Sequence, residues 1–88
     1  MEMEKEKKKE KWITRIDCRG DRELLLKVIE ICRGIKRRDP TFKFSYNNRY
    51  VYIVSEDENI AHKRGMWFHH KVDSRLLYRV YSVRRAVC

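Results

Sequence analysis

Thr41-Phe-Lys-Phe-Ser-Tyr-Asn-Asn-Arg-Tyr-Val-Tyr-Ile-Val54 holds two runs of alternating character around an Asn-Asn pair, the pattern of a tight β-hairpin. A two-residue turn at Asn47 and Asn48 sets Tyr46 opposite Arg49, Phe44 opposite Val51 and Phe42 opposite Ile53, all on one side of the ribbon. That side reads as core. The other side then carries Lys43, Ser45, Tyr50 and Tyr52. Flat rings interleaved with cations suit a single-stranded nucleic acid, whose bases stack and whose phosphates need neutralising.

Upstream of the hairpin, Trp12 to Cys18 alternates as a strand, with Trp12, Thr14, Ile16 and Cys18 facing inward and Ile13, Arg15 and Asp17 facing outward. Gly20 turns the chain and Asp21 is placed to cap a helix. Leu24, Leu25, Val28, Ile31, Cys32 and Ile35 then recur at three-and-four spacing, which predicts an amphipathic helix. Arg33, Lys36, Arg37 and Arg38 suit the negative end of that helix, and Asp39-Pro40 stops it.

Downstream, Ser55-Glu-Asp-Glu58 matches a capping box and predicts a second helix, with Ile60, Ala61, Trp67 and Phe68 on one face. Gly65 and the cations Arg64 and Lys71 interrupt that face. A competing reading makes Met66 to Val72 a strand that turns at Asp73-Ser74. Leu76 to Arg85 alternates as a strand in either case, with Leu76, Tyr78, Val80 and Ser82 on one side and Leu77, Arg79, Tyr81, Val83 and Arg85 on the other.

The resulting order of strand, helix, strand, strand, helix, strand is that of the ferredoxin-like split βαβ fold, a small α+β domain with helices on one face of its sheet. The alternative is one helix on a five-stranded, largely antiparallel sheet. In the first arrangement the open face gathers Arg15, Lys43, Tyr50, Tyr52, Arg79 and Tyr81. Lys63 and Arg64, from the basic C-terminal third, join them as candidate nucleic-acid contacts.

Charge points the same way. The chain of 88 residues has 22 Lys plus Arg against 13 Asp plus Glu, a net charge of +9. Residues 1–11 hold five Lys and four Glu with no apolar periodicity, which predicts a disordered tail contributing only +1 and leaves +8 for a single folded domain over 12–88. From His62 onward, Lys63, Arg64, Lys71, Arg75, Arg79, Arg84 and Arg85 face only Asp73. Such a field favours polyanions. Nucleic acid leads, and the alternative is a protein-binding module or inhibitor, viral or a subunit of a larger complex, that docks an acidic partner or forms a homodimer through the same face.

Arg49-Tyr-Val-Tyr-Ile-Val54 resembles, over about six residues, the aromatic third-strand motif of RNA-recognition-motif domains, whose rings stack on bases. The glycine expected after the leading basic residue is missing. The first strand, Trp12 to Asp17, also lacks the partner aromatic at its second position, so family membership does not follow.

His69 and His70 invite comparison with HUH nickases, which set two histidines on one strand. That family separates its histidines by a hydrophobic residue so that both side chains share a face, whereas adjacent residues on a strand point apart. No third ligand stands at a metal-site spacing, so no metal, cofactor or catalytic residue is assigned. There is also no phosphate-cradling glycine loop, nucleophile elbow or paired carboxylate with an evident base. The expectation is a protein that is not an enzyme, with a metal-dependent nuclease as the remote alternative.

Cys18, Cys32 and Cys88 are odd in number and widely spaced, which argues against a disulfide framework and for a reducing, cytoplasmic setting. The sequence has no apolar run of membrane-spanning length and no charged-then-apolar leader, so neither membrane insertion nor secretion is expected. Abundant Lys, Arg, Glu, Ile, Val and Tyr, with no Gln, is a balance found in proteins of hot-living organisms.

Overall fold

A computed structural model describes residues 11–83 as a small compact α+β domain. Its elements are β1 (Trp12–Asp17), α1 (Arg22–Arg38), β2 (Lys43–Tyr46), β3 (Tyr50–Ser55), α2 (Glu58–Trp67) and β4 (Leu77–Ser82), with a π-helical turn, Phe68–Val72, continuing α2. The four strands stand in the order β2-β3-β1-β4, and every neighbouring pair is antiparallel. The tail expected over 1–11 falls outside the described residues except for Lys11. That residue accepts a backbone hydrogen bond from Val83 and pairs with Glu56.

Alternation set the faces of the strands as expected. Thr14, Ile16, Val51 and Ile53 are fully buried on one side of the sheet. They meet Leu24, Leu25, Val28, Ile29 and Cys32 of α1, with Phe42, Phe68 and Leu76 completing the core. Burying side chains of this size contributes about 1.5–3 kcal/mol each before the entropy of ordering is subtracted. Asp21 caps α1 as expected, accepting from the Glu23 and Leu24 amides at 3.0 and 3.2 Å. The cap follows Arg19 and Gly20, both in the left-handed region at φ 58° and 75°. Lys36 of the basic last turn donates to the Phe42 carbonyl, tying the helix end to the approach of β2.

Three local readings are corrected. The hairpin register is shifted by two residues: Phe44 stands opposite Ile53 and Tyr46 opposite Val51. The cause is the Asn47 side chain, whose Oδ1 accepts from the amides of both Arg49 and Tyr50 at 2.8 Å, so Asn48 and Arg49 become the tip of the turn. A shift of two preserves which face each strand residue occupies, but it removes Arg49 from the core side.

The start of α2 is the second correction. Asp57 caps it, accepting from the Asn59 amide at 2.6 Å, while Ser55 is the buried last residue of β3. Ser55 Oγ accepts instead from Arg64 at 2.9 Å.

The third correction concerns Met66 to Val72, which is helical rather than a strand, and the described residues contain no fifth strand. Gly65 is what allows it. The glycine packs directly on the Tyr78 ring, where an added Cβ would overlap Cδ2 and Cγ and stand only 2.7 Å from Cε2. The π turn then buries Phe68 and sets His69 Nδ1 2.7 Å from the Leu76 carbonyl. Since a carbonyl only accepts, Nδ1 is the protonated nitrogen. Thr14 Oγ1 donates to the Ala61 carbonyl at 2.8 Å and pins the same helix to β1.

The inward face is therefore Ala61, Gly65 and Phe68: Ala61 and Phe68 of the expected set are buried, and Gly65 joins them in place of Ile60 and Trp67. Ile60 and Trp67 remain 43% and 44% exposed.

Candidate nucleic-acid interface

The sheet surface opposite the core is built from the outward half of each strand. Register places Arg15 of β1 between Tyr52 of β3 and Arg79 of β4. One pleat along, Ile13 lies between Val54 and Tyr81, and Asp17 between Tyr50 and Leu77. Lys43 and Ser45 on the edge strand sit beside Val54 and Tyr52. Six of the eight candidate contacts read from the sequence, Arg15, Lys43, Tyr50, Tyr52, Arg79 and Tyr81, thus share one face.

The side chains on this face touch each other. The Arg15 guanidinium carbon lies 4.5 Å from the centre of the Tyr50 ring, and that of Arg49 lies 5.5 Å from the same ring. Tyr50 and Tyr52 are neighbours with centroids 6.1 Å apart and planes inclined by 51°. The Tyr52 hydroxyl accepts from Asn47 Nδ2 at 3.2 Å, which fixes the ring from the turn. Partial burial holds the Tyr81 hydroxyl above its ordinary pKa, reinforced by the nearby Tyr52 phenol and opposed by Arg15. Tyr81 remains a neutral, flat ring at physiological pH.

Arg49 is the face residue that sequence reasoning missed. A turn at Asn47 and Asn48, one residue early, puts Arg49 on the core side. The available signal was Asn47 itself, whose side chain readily captures amides two and three residues on. Arg49 Nε also lies 3.7 Å from Asp17 Oδ1, and the same carboxylate oxygen accepts from the Arg19 amide at 2.8 Å. Asp17 is accordingly an acidic strand-end anchor on a face whose other charged strand residues, Arg15, Lys43 and Arg79, are basic.

Lys63 and Arg64 lie elsewhere, on α2. Lys63 is exposed on the helix, whereas Arg64 is half-buried and turned toward α1. Arg64 Nη1 donates to the Val54 carbonyl at 3.1 Å and to Ser55 Oγ at 2.9 Å, and its guanidinium carbon stands 5.0 Å over the Phe42 ring. Burial lowers its pKa, with Asp39 acting in the opposite sense. Arg84 and Arg85 fall outside the described residues.

A depression of about 500 Å³ continues the face at one end of β1 and β4, lined by Arg15, Asp17, Leu77, Tyr78, Arg79 and His69. It brings two guanidiniums and an imidazole to one rim. The His69 and His70 rings meet edge to face at 4.9 Å, and among the described residues no group of three or more His, Cys, Asp or Glu is gathered as a metal site. Burial pushes the Cys18 and Cys32 thiols up to about 11 and about 12, so both are protonated, unreactive core groups. No helix among the described residues is long and apolar enough to cross a membrane.

No protein-family model matches the chain, and comparisons with curated proteins and with solved structures found no match either.

Proposed function

We propose that this protein is a small, non-enzymatic nucleic-acid-binding domain of the cytoplasm that takes single-stranded or structured RNA or DNA on the open face of its sheet. The observation that carries the reading is the shared face of Arg15, Tyr50, Tyr52, Arg79 and Tyr81, with Arg15 lying over Tyr50. Tyr52 and Tyr81 offer rings to bases. The guanidinium of Arg15, which lies over the Tyr50 ring, offers a second stacking surface, because bases stack on arginine planes as well as on rings. Arg79 and Lys43 neutralise phosphates, and Arg49 reaches the same strand from the turn. The order β2-β3-β1-β4, antiparallel throughout and with two intervening helices, supports a ferredoxin-like split βαβ arrangement, which leaves one sheet face free for such a ligand.

Fluorescence anisotropy of labelled single- and double-stranded RNA and DNA, titrated at several salt concentrations, tests the proposal. The double variant Tyr50→Ala/Tyr52→Ala loses about 1–3 kcal/mol for each base it no longer stacks. Its salt dependence stays close to that of the wild type, because each phosphate contact contributes about 0.7 to the slope for a single strand and none is removed. Absence of binding to all four nucleic acids would overturn the proposal and leave an acidic protein partner, or a second copy of the chain, as the ligand of this face.

A further inference from the structure

On the opposite side of the sheet from this face, α1 and α2 splay apart, and a cleft of about 510 Å³ opens between them. Its α1 wall is the stripe Ile31, Gly34, Ile35 and Arg38, its floor is Ile53 and Phe42, and its α2 wall is Arg64, Trp67 and Phe68. The volume is that of a small-molecule pocket, and the lining is that of one too: apolar walls with a few polar groups. No acidic residue lines it. Ile31 and Ile35, which helical spacing assigns to the core, are only partly buried among the described residues.

Two independent details point to a ligand and to its charge. Gly34 stands inside a 17-residue helix, where glycine is the poorest helix former after proline. Its backbone needs no left-handed conformation, and a Cβ added there meets no atom within 4 Å. Packing among the described residues therefore gives no reason for glycine, and the open space beside it leaves room for an occupant of the cleft. Arg64, for its part, is a half-buried cation with no ion-pair partner among the described residues, and its protein hydrogen bonds are made through Nη1. Its Nε and Nη2 remain for an anion, and Arg38 supplies a second guanidinium to the same cleft. Asp39, the carboxylate that acts on Arg64 electrostatically, has its Oδ1 engaged with the Thr41 hydroxyl and amide at 2.6 and 3.1 Å.

We infer that the cleft between α1 and α2 binds a small monocarboxylate with an apolar body, its carboxylate on Arg64 and Arg38 and its body between Gly34 and Trp67. This site is separate from the sheet face and stands or falls independently of nucleic-acid binding.

Trp67 serves as the reporter. In a Trp12→Phe background it is the sole tryptophan, and decanoate, added below its micelle-forming concentration, is expected to change its fluorescence saturably. Decanol, which has the same chain and no charge, binds about tenfold or more weakly, the loss of one charge-assisted contact. Arg64→Met weakens decanoate and not decanol; Arg38→Gln, at an exposed side chain, makes the same test should Arg64→Met fail to fold. Gly34→Leu fills the cleft and abolishes both responses while the melting temperature stays at or above that of the parent. A response that does not saturate, equal affinity for decanoate and decanol, or full binding by folded Gly34→Leu would each overturn the inference.

Discussion

Replacing Gly65 by alanine separates what helix propensity asks for from what the tertiary contact asks for. In an exposed helix the change stabilises by about 1 kcal/mol, because alanine restricts the unfolded chain and favours the helix. At Gly65 the new methyl would overlap Cδ2 and Cγ of Tyr78. Cγ is the root of the ring, so rotation about the outer bonds cannot clear it; either Tyr78 leaves its rotamer or α2 lifts off β4. Overpacking of this kind costs about 1–3 kcal/mol, and contact at the ring root places the cost at the upper end. Subtracting the propensity gain leaves a net loss of about 1–2 kcal/mol, equivalent to a fall of roughly 4–16 °C in melting temperature for a domain of this size.

Urea denaturation followed by circular dichroism measures the loss directly, and a second background identifies its source. In Tyr78→Leu the ring is gone, so Gly65→Ala there becomes neutral or stabilising by up to about 1 kcal/mol, a coupling of about 2 kcal/mol between the two positions. If Gly65→Ala were more stable than the wild type, or equally destabilising in both backgrounds, the close packing of α2 on Tyr78 would be refuted.

Two further predictions concern the surface and the core. Arg49→Ala removes the second guanidinium from Tyr50 and one cation from the turn, so anisotropy should show weaker binding to single strands and a salt slope lower by about 0.7, with no loss of fold. An unchanged slope would place Arg49 outside the interface. The buried thiols of Cys18 and Cys32 are raised to about 11 and about 12, above the ordinary thiol value of an unfolded chain. Their contribution to stability is complete below that ordinary value and is lost as pH climbs from about 9 toward the folded values, by up to about 1.4 kcal/mol per pH unit for each thiol. Urea titrations from pH 8 to pH 10.5 or so should therefore show a steeper decline for the wild type than for Cys18→Ala/Cys32→Ala, and parallel declines would contradict the burial of the thiols.

The outward-facing candidates could be read from the chain because a strand assigns its residues to faces by parity alone. The hairpin register was displaced by two, yet Lys43, Tyr50 and Tyr52 kept their side, since only an odd displacement exchanges faces. Arg15, Arg79 and Tyr81 followed from the same period in strands far apart in sequence. The first helix was equally legible: its three-and-four spacing, the Asp21 cap and the Asp39-Pro40 stop are local properties that need no partner. Arg49 was misplaced because its position depended on which amides the Asn47 side chain would capture, a choice among conformations close in energy.

By itself, then, the sequence determined the periodicities of the strands and of α1, with the Asp21 cap, and through them a sheet with one basic and aromatic face. What only the tertiary structure decided is where segments distant along the chain meet. By its position in the sequence Arg64 is one more surface cation, yet the C-terminal end of β3 and the Phe42 ring hold it half-buried between the helices. The helix persists through Gly65 because Tyr78, thirteen residues later, fills the space a side chain would have taken. Ile31 and Ile35 were marked for the core by their spacing, but the cleft beside them is set by how far apart two helices come to rest on the sheet. That separation is a balance of packing among α1, α2 and the four strands beneath them, which no local pattern encodes.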